Sequence, residues 1–340
     1  MTEMMIRGAI AQTIYDEMLR DSNVVMLGED IVGGMGTEGG PEATGGIWGT
    51  SPGLFDKFGP ERVIDTPISE SAIVGAAAGL ALSGKRPIAE IMFADFVGVC
   101  LDQLWNQMAK FRYMFGGKTE CPAVIRMSYG AGVNAAAQHS QAVYSLLTQI
   151  PGLKVVMPTT AADAKGLLTT AIRGSDPVIF MEHKALYASK GEVPDGEYLV
   201  PFGEARMARR GEDVTIVTCG LMVSVAEAAA AVLSKEGIEC DVIDLRTTSP
   251  LDEDTILDSV EVSGRLIVVD ESTPRCSLAT DIAALVCTEA FSSLKAPPEL
   301  VTAPHTPVPF ARELERAYLP NSEKVEAAVR QVMAYKSGYS

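Results

Sequence analysis

The chain has 340 residues, 47% of them hydrophobic and 21% charged, and a net charge of −16. That length accommodates two domains with sizeable cores. The acidic surplus disfavours nucleic-acid backbones and anionic membranes, since no local basic patch is visible. Six dispersed cysteines without a C-x-x-C pair speak against a zinc ribbon and a disulfide framework, so a reducing cytoplasm is the expected home.

The opening MTEMMIRGAIAQTIYDEMLR carries acids and no apolar segment between a basic flank and a cleavage site, so it predicts a helix and not a signal peptide. The strand VVMLGED follows. Residues 33–53 hold nine glycines and predict a long surface loop. RVIDTPISE then predicts a strand running into a helix from about residue 71 to Ser83, with Ser69 as N-cap, Gly84 as stop and Glu70 at the positive end. The longest mainly apolar stretch, Ala72–Leu82, is far short of the about 20 residues that cross a bilayer.

Ser71, Gly75, Gly79 and Ser83 make a side-chain-poor stripe at four-residue spacing, which lets another backbone come close. A carboxylate buried beside such a stripe requires a partner. If that partner is a ring nitrogen that gains a proton, the pair does acid–base work, because a desolvated Glu holds its proton more tightly. On charge placement alone, dipole compensation worth roughly 0.3–1 kcal/mol is the simpler reading of Glu70.

Strands PIAEIMF, PAVIRMS, LKVVMP and PVIFMEH alternate with helical FVGVCLDQLWNQMAKFRYMF, SQAVYSLLTQI and AADAKGLLTTAIRG. This is the pattern of a doubly wound, mainly parallel α/β sheet. His139 follows a small-residue loop, where a flexible segment presents an imidazole to a cleft. His183 and His305 have no evident partner acid and read as hydrogen-bonded structural residues; no histidine pair has metal spacing. Residues 188–211 lose the rhythm and form a linker between a domain over 1–187 and a smaller α/β domain over 212–340. No G-x-G-x-x-G follows a strand and opens a helix, and P-loop and nucleophile-elbow motifs are absent, which weighs against a nicotinamide-dependent dehydrogenase.

At GED (28–30), RVIDTPISE (62–70), EIMFADF (90–96), AAQHSQ (136–141), PGLKVVMP (151–158), DAKGLL (163–168) and DPVIF (176–180) the chain resembles the beta subunit of thiamine-diphosphate-dependent 2-oxo acid and acetoin dehydrogenase complexes. The match is ordered and spans nearly the whole chain. The resemblance implies two doubly wound domains, a pyrimidine-binding one and a transketolase-type C-terminal one. It implies that Glu70 hydrogen-bonds a ring nitrogen of the cofactor's aminopyrimidine, favouring the imino form whose nitrogen deprotonates the thiazolium carbon. Phe96 matches the aromatic that stacks on the pyrimidine, Ile68, Met92 and Glu29 match positions lining its pocket, and His139 matches the histidine facing substrate or the incoming lipoyl group.

A structural potassium ion is implied at Ala123, Ala171, Ile172, Gly174 and Asp176, although Gly174 and Asp176 depart from the family's commoner residues. The family's G-D-G motif for diphosphate and magnesium is absent from the chain. The resemblance therefore assigns magnesium and half of the thiamine diphosphate site to an alpha subunit, in an assembly of two alpha and two beta chains that feeds a lipoyl-carrying acyltransferase. MEHKALY, KFRYMFGGK and APHTPVPF look most like the acetoin branch; pyruvate or a branched-chain 2-oxo acid is the alternative substrate. A rival from another class is a structural subunit that completes the heterotetramer without chemistry, for which turnover would survive Glu70→Gln.

Overall fold

A computed structural model describes residues 1–33 and 45–336, so most of the glycine-rich segment lies outside the described residues. Two compact units result: Met1–Tyr129 with Leu146–Phe202, and Gly130–Ser145 with Gly203–Ser340. In chain order the first elements are β1 (Thr2–Met5), α1 (Ile6–Arg20), β2 (Val24–Gly28), α2 (Leu54–Phe58), β3 (Val63–Asp65), α3 (Glu70–Leu82) and β4 (Arg86–Ile91). Then come α4 (Phe111–Met114), β5 (Val124–Tyr129), α5 (Tyr144–Thr148), β6 (Lys154–Val156), α6 (Ala161–Arg173), β7 (Val178–His183) and β8 (Lys190–Val193).

In the first unit the strands run β6-β7-β5-β4-β2-β3, every neighbour parallel. Strands β2, β5 and β7 are buried at every position, as a sheet covered on both faces requires. Helices α1 and α6 pack on each other, and α3 lies on β4. Gly152, in the turn before β6, has φ +104, and a Cβ there would meet the Ala109 carbonyl oxygen at 2.0 Å. Both the backbone conformation and the space demand glycine.

Two local expectations differ. The predicted continuous helix after β4 is instead a 3₁₀ turn over Ala94–Val99, a π-helical stretch over Gln103–Met108 and the short α4. The Ala109 N–H donates to the Leu104 carbonyl at 3.1 Å, an i→i+5 bond that widens the turn and keeps Leu104 and Met108 buried. Residues read as a linker also carry two strands, because each finds a distant partner: β8 pairs antiparallel with β1, and β9 (Arg206–Arg209) pairs antiparallel with a strand of the second unit.

The second unit continues with β10 (Val214–Thr218), α7 (Leu221–Leu233), β11 (Cys240–Asp244), β12 (Thr247–Ser249), α8 (Glu253–Ser263), β13 (Leu266–Asp270), α9 (Leu278–Glu289), β14 (Glu299–Thr302), α10 (Arg312–Tyr318) and α11 (Ser322–Ala334). Its sheet has the order β14-β13-β10-β11-β9, parallel except at the β9 edge. Val214, Ile216, Val242 and Ile267 form the core with Ala226 and Leu233 of α7 and Val325 and Val329 of α11. All six cysteines are free thiols. Among the described residues no helix is long and apolar enough to cross a membrane.

Candidate active site

Sheet order places the site. From β2 the chain steps to β3 on one side and returns through α3 to β4 on the other. The connections therefore diverge at β2 and β4, and in parallel sheets the crevice at such a switch point, outside the strands' carboxyl ends, is where ligands bind. Glu29 directly follows β2, Ile68 and Glu70 follow β3, and Met92 and Phe96 follow β4. The strands approach closely here: a Cβ on Gly28 would lie 3.0 Å from the Glu90 carbonyl oxygen and 3.1 Å from its Cβ.

Glu70 is the first residue of α3 and is 9% exposed. Ser69 occupies the N-cap position but makes no side-chain cap bond, so the helix dipole is left facing the Glu70 carboxylate. The helix is tied to the 3₁₀ turn that carries Phe96 by the Ser71 hydroxyl, which donates to the Val99 carbonyl at 2.6 Å. Partial burial, followed by the negative charges of Asp30 and Glu70, holds the Glu29 carboxyl above its ordinary range. Burial and the Glu70 charge likewise push the Cys100 thiol up to about 12. The Glu70 charge thus reaches Glu29, which follows the neighbouring strand β2.

The opposite wall is apolar and aromatic. The Met92 carbonyl accepts from the Ser128 hydroxyl and, at 3.4 Å, from the Trp48 indole N–H. Phe93 meets Phe96 edge to face at 5.8 Å, and Trp48 meets Phe93 at 5.5 Å while stacking on Tyr187 at 5.2 Å. Phe96 remains half-buried, and Ile68 is 75% exposed. The small-residue stripe is also open: Gly79 is exposed and a Cβ there would meet nothing within 4 Å. Nearer the start of α3 the stripe is covered within the chain, Ser71 bonding the Val99 carbonyl and a Cβ on Gly75 meeting Gln103 Cγ at 3.7 Å.

Sequence reasoning missed a buried charge cluster behind the crevice. Arg126 bonds Glu90 at 2.6 Å and Glu182 at 2.6 and 2.8 Å, while the Tyr187 hydroxyl donates to Glu182 at 2.8 Å. Burial raises the Glu90 carboxyl even against Arg126. Thr50 donates to the same Glu90 oxygen at 3.3 Å, so the cluster also anchors the segment carrying Trp48. A charged residue inside each otherwise apolar strand was the signal that could have found it.

His139 belongs to the second unit, on the loop between β5 and α5. His183 is buried, accepts from the Ala185 N–H at 3.2 Å and packs on Tyr129, as a structural histidine does. His305 is exposed and lines a cleft of about 440 Å³ with Gln141, Ser272 and Tyr318.

The residues carried over for potassium do not fit that ion. Arg86 Nε donates to the Ile172 carbonyl at 2.7 Å and its Nη2 to the Gly174 carbonyl. The Ala123 and Ala171 carbonyls accept from the Val178 and Gly174 N–H groups at 2.9 and 3.2 Å. Asp176 is bonded to Arg112 at 2.6 Å and Lys154 at 3.2 Å. The Arg86 guanidinium already brings a positive charge to the Ile172 and Gly174 carbonyls and would repel a second cation there.

The first unit is a parallel α/β sheet with a nearly buried acid heading the helix that follows β3, at the strand-end edge where such folds bind ligands. Comparison with known proteins makes this specific. Residues 2–190 match the transketolase pyrimidine-binding domain and residues 203–325 the transketolase C-terminal domain. The chain is 60% identical over 328 residues to the beta subunit of acetoin:2,6-dichlorophenolindophenol oxidoreductase from Cupriavidus necator, covering 96% of this chain and 97% of that one. The Bacillus subtilis subunit of the same name is 52% identical, with 96% of each chain covered. A solved structure described as split gene transketolase, inactive beta4 tetramer, shares the fold with a TM-score of 0.76 at 23% identity, covering 98% of this chain and 99% of that one. The chain belongs to the transketolase-type, thiamine-diphosphate-dependent enzymes, among the dehydrogenase beta subunits.

Proposed function

We propose that this chain is the beta subunit of an acetoin dehydrogenase and builds the pyrimidine half of a thiamine diphosphate site. An alpha subunit supplies the diphosphate and magnesium half, in an assembly of two alpha and two beta chains, and a lipoyl-carrying acyltransferase accepts the two-carbon unit. The observation that carries the reading is the placement of Glu70: ionisable, nearly buried, heading α3 and within electrostatic reach of Glu29 at the β2/β4 crevice.

The residues present suit a protonatable aromatic ring. Glu70 would hold a proton at a ring nitrogen. Phe96 offers a half-buried ring face and Met92 a thioether, while Glu29 is the second acid that limits how much charge the crevice tolerates. Ile68, apolar and largely exposed, supports a pocket wall completed by another chain. When bound, thiamine diphosphate supplies the carbon nucleophile that cleaves the bond next to a carbonyl. His139 would face the substrate or the lipoyl group and orient its polar atoms.

The test is the reconstituted alpha/beta pair with an artificial electron acceptor, offered acetoin, pyruvate and 3-methyl-2-oxobutanoate. Turnover with acetoin and release of acetaldehyde is expected; turnover confined to the 2-oxo acids would overturn the substrate assignment. Glu70→Gln should lower kcat by about 10²–10⁴-fold with the assembly intact. An unchanged kcat would support the structural subunit instead.

A further inference from the structure

We infer that Glu315, helped by Glu271, is a positioning residue that holds the His139 loop from the second unit, an inference that rests on the active-site reading of His139. Residues 130–145 follow β5 in the chain yet belong to the compact unit that contains α10. Several of the bonds that secure them end on carboxylates. Glu315, 2% exposed on α10, accepts the Gly132 N–H at 2.9 Å, the Asn134 N–H at 3.1 and 3.2 Å, and the Asn134 side-chain amide at 2.9 Å. Glu271 accepts the Ala131 N–H at 2.6 Å.

The far end of the loop is tied as well: the Tyr144 hydroxyl bonds Asp270, which also accepts the Ser272 and Ala279 N–H groups at 2.8 and 3.0 Å. The Gly130 N–H donates to the Gln141 carbonyl at 3.4 Å and closes the base. Between these ties the backbone is strained, since Asn134 (φ +57) and Ala136 (φ +63) take left-handed conformations that cost non-glycine residues energy. Ala136 lies three residues before His139, and its carbonyl accepts the His139 N–H at 3.4 Å. A charged acceptor outweighs such strain, because hydrogen bonds to a buried carboxylate are stronger than neutral ones. The geometry of the histidine is thus set from α10, more than 170 residues away in sequence.

The experiment compares Glu315→Gln, His139→Gln and the double variant in the reconstituted alpha/beta enzyme, with Glu313→Gln on the exposed face of α10 as control. Glu315→Gln removes the charge and turns one of the two accepting oxygens into a donor at nearly constant volume. Misplacing a reacting group by about 1 Å costs about 10²-fold, so kcat/KM for acetoin should fall by about 10–10²-fold. That loss should vanish in the His139→Gln background, and Glu313→Gln should change nothing. An equal loss in both backgrounds, or no loss where His139→Gln alone is impaired, overturns the clamp. An unimpaired His139→Gln overturns the reading of the histidine and the purpose of the clamp with it. Should Glu315→Gln fail to assemble, Asn134→Gly serves the same comparison, since it keeps the left-handed backbone and deletes one bond to Glu315.

Discussion

Glu29 and Glu70 come together because β2 and β3 are parallel neighbours whose carboxyl ends open into the same crevice. One consequence is measurable in the folded chain. Partial burial and two nearby negative charges raise the Glu29 carboxyl above its ordinary value of 4.5, so the native state binds this proton more tightly than the unfolded state. Ionised Glu29 therefore destabilises the fold above its raised value, and the penalty disappears as pH falls below 4.5. Glu29→Gln should raise the thermal midpoint at pH 7 and leave it unchanged near pH 4, as calorimetry across that range would read. A gain of equal size at both pH values would show that the charge is not its cause. Glu70 was legible in the sequence because a carboxylate heading a helix of small residues is conspicuous. The Arg126 cluster was not, because its members come from three strands and touch only after β4, β5 and β7 have paired.

At the scale of elements, α3 does two things with one composition. Its Ile73, Val74, Ala77 and Ala81 face the sheet and are buried, while the small-residue line stays open at Gly79. If that line receives the alpha subunit, Gly79→Leu should separate folding from assembly. The beta chain alone should lose no thermal stability, since Leu improves helix propensity by about 0.8–1 kcal/mol over Gly. Association with the alpha chain, followed by analytical ultracentrifugation, should weaken at least tenfold; unchanged association would exclude this face. Sequence spacing read the helix to within one residue at each end. It misread the region after β4, where a π-helical stretch keeps apolar residues inward in a way that a 3.6-residue period does not foresee. The strands β8 and β9 were read as linker for a related reason: both are short, and pairing partners remote in the chain supply what their composition lacks.

For the molecule as a whole, the question is which half of a cofactor site one chain can build. The proposed site gives this chain the pyrimidine half and an alpha subunit the diphosphate half. Titrating thiamine diphosphate and magnesium into the beta chain alone should leave its tryptophan fluorescence unchanged, and isothermal titration should show binding once the alpha subunit is present. Saturable binding to the isolated beta chain would overturn the shared site.

The sequence by itself determined the alternation of strands and helices, the two-domain plan and the acid at the head of α3, because these follow from local periodicity, capping and motifs that lie within a few residues of one another. Only the tertiary structure decided that the Glu70 charge reaches Glu29, that Arg86 donates to the Ile172 and Gly174 carbonyls, and that Glu315 accepts from Gly132 and Asn134 in the loop before His139. Each of those contacts joins residues far apart in the chain that one unit's fold brings together, and the energy of such a contact depends on burial and distance that no linear pattern encodes.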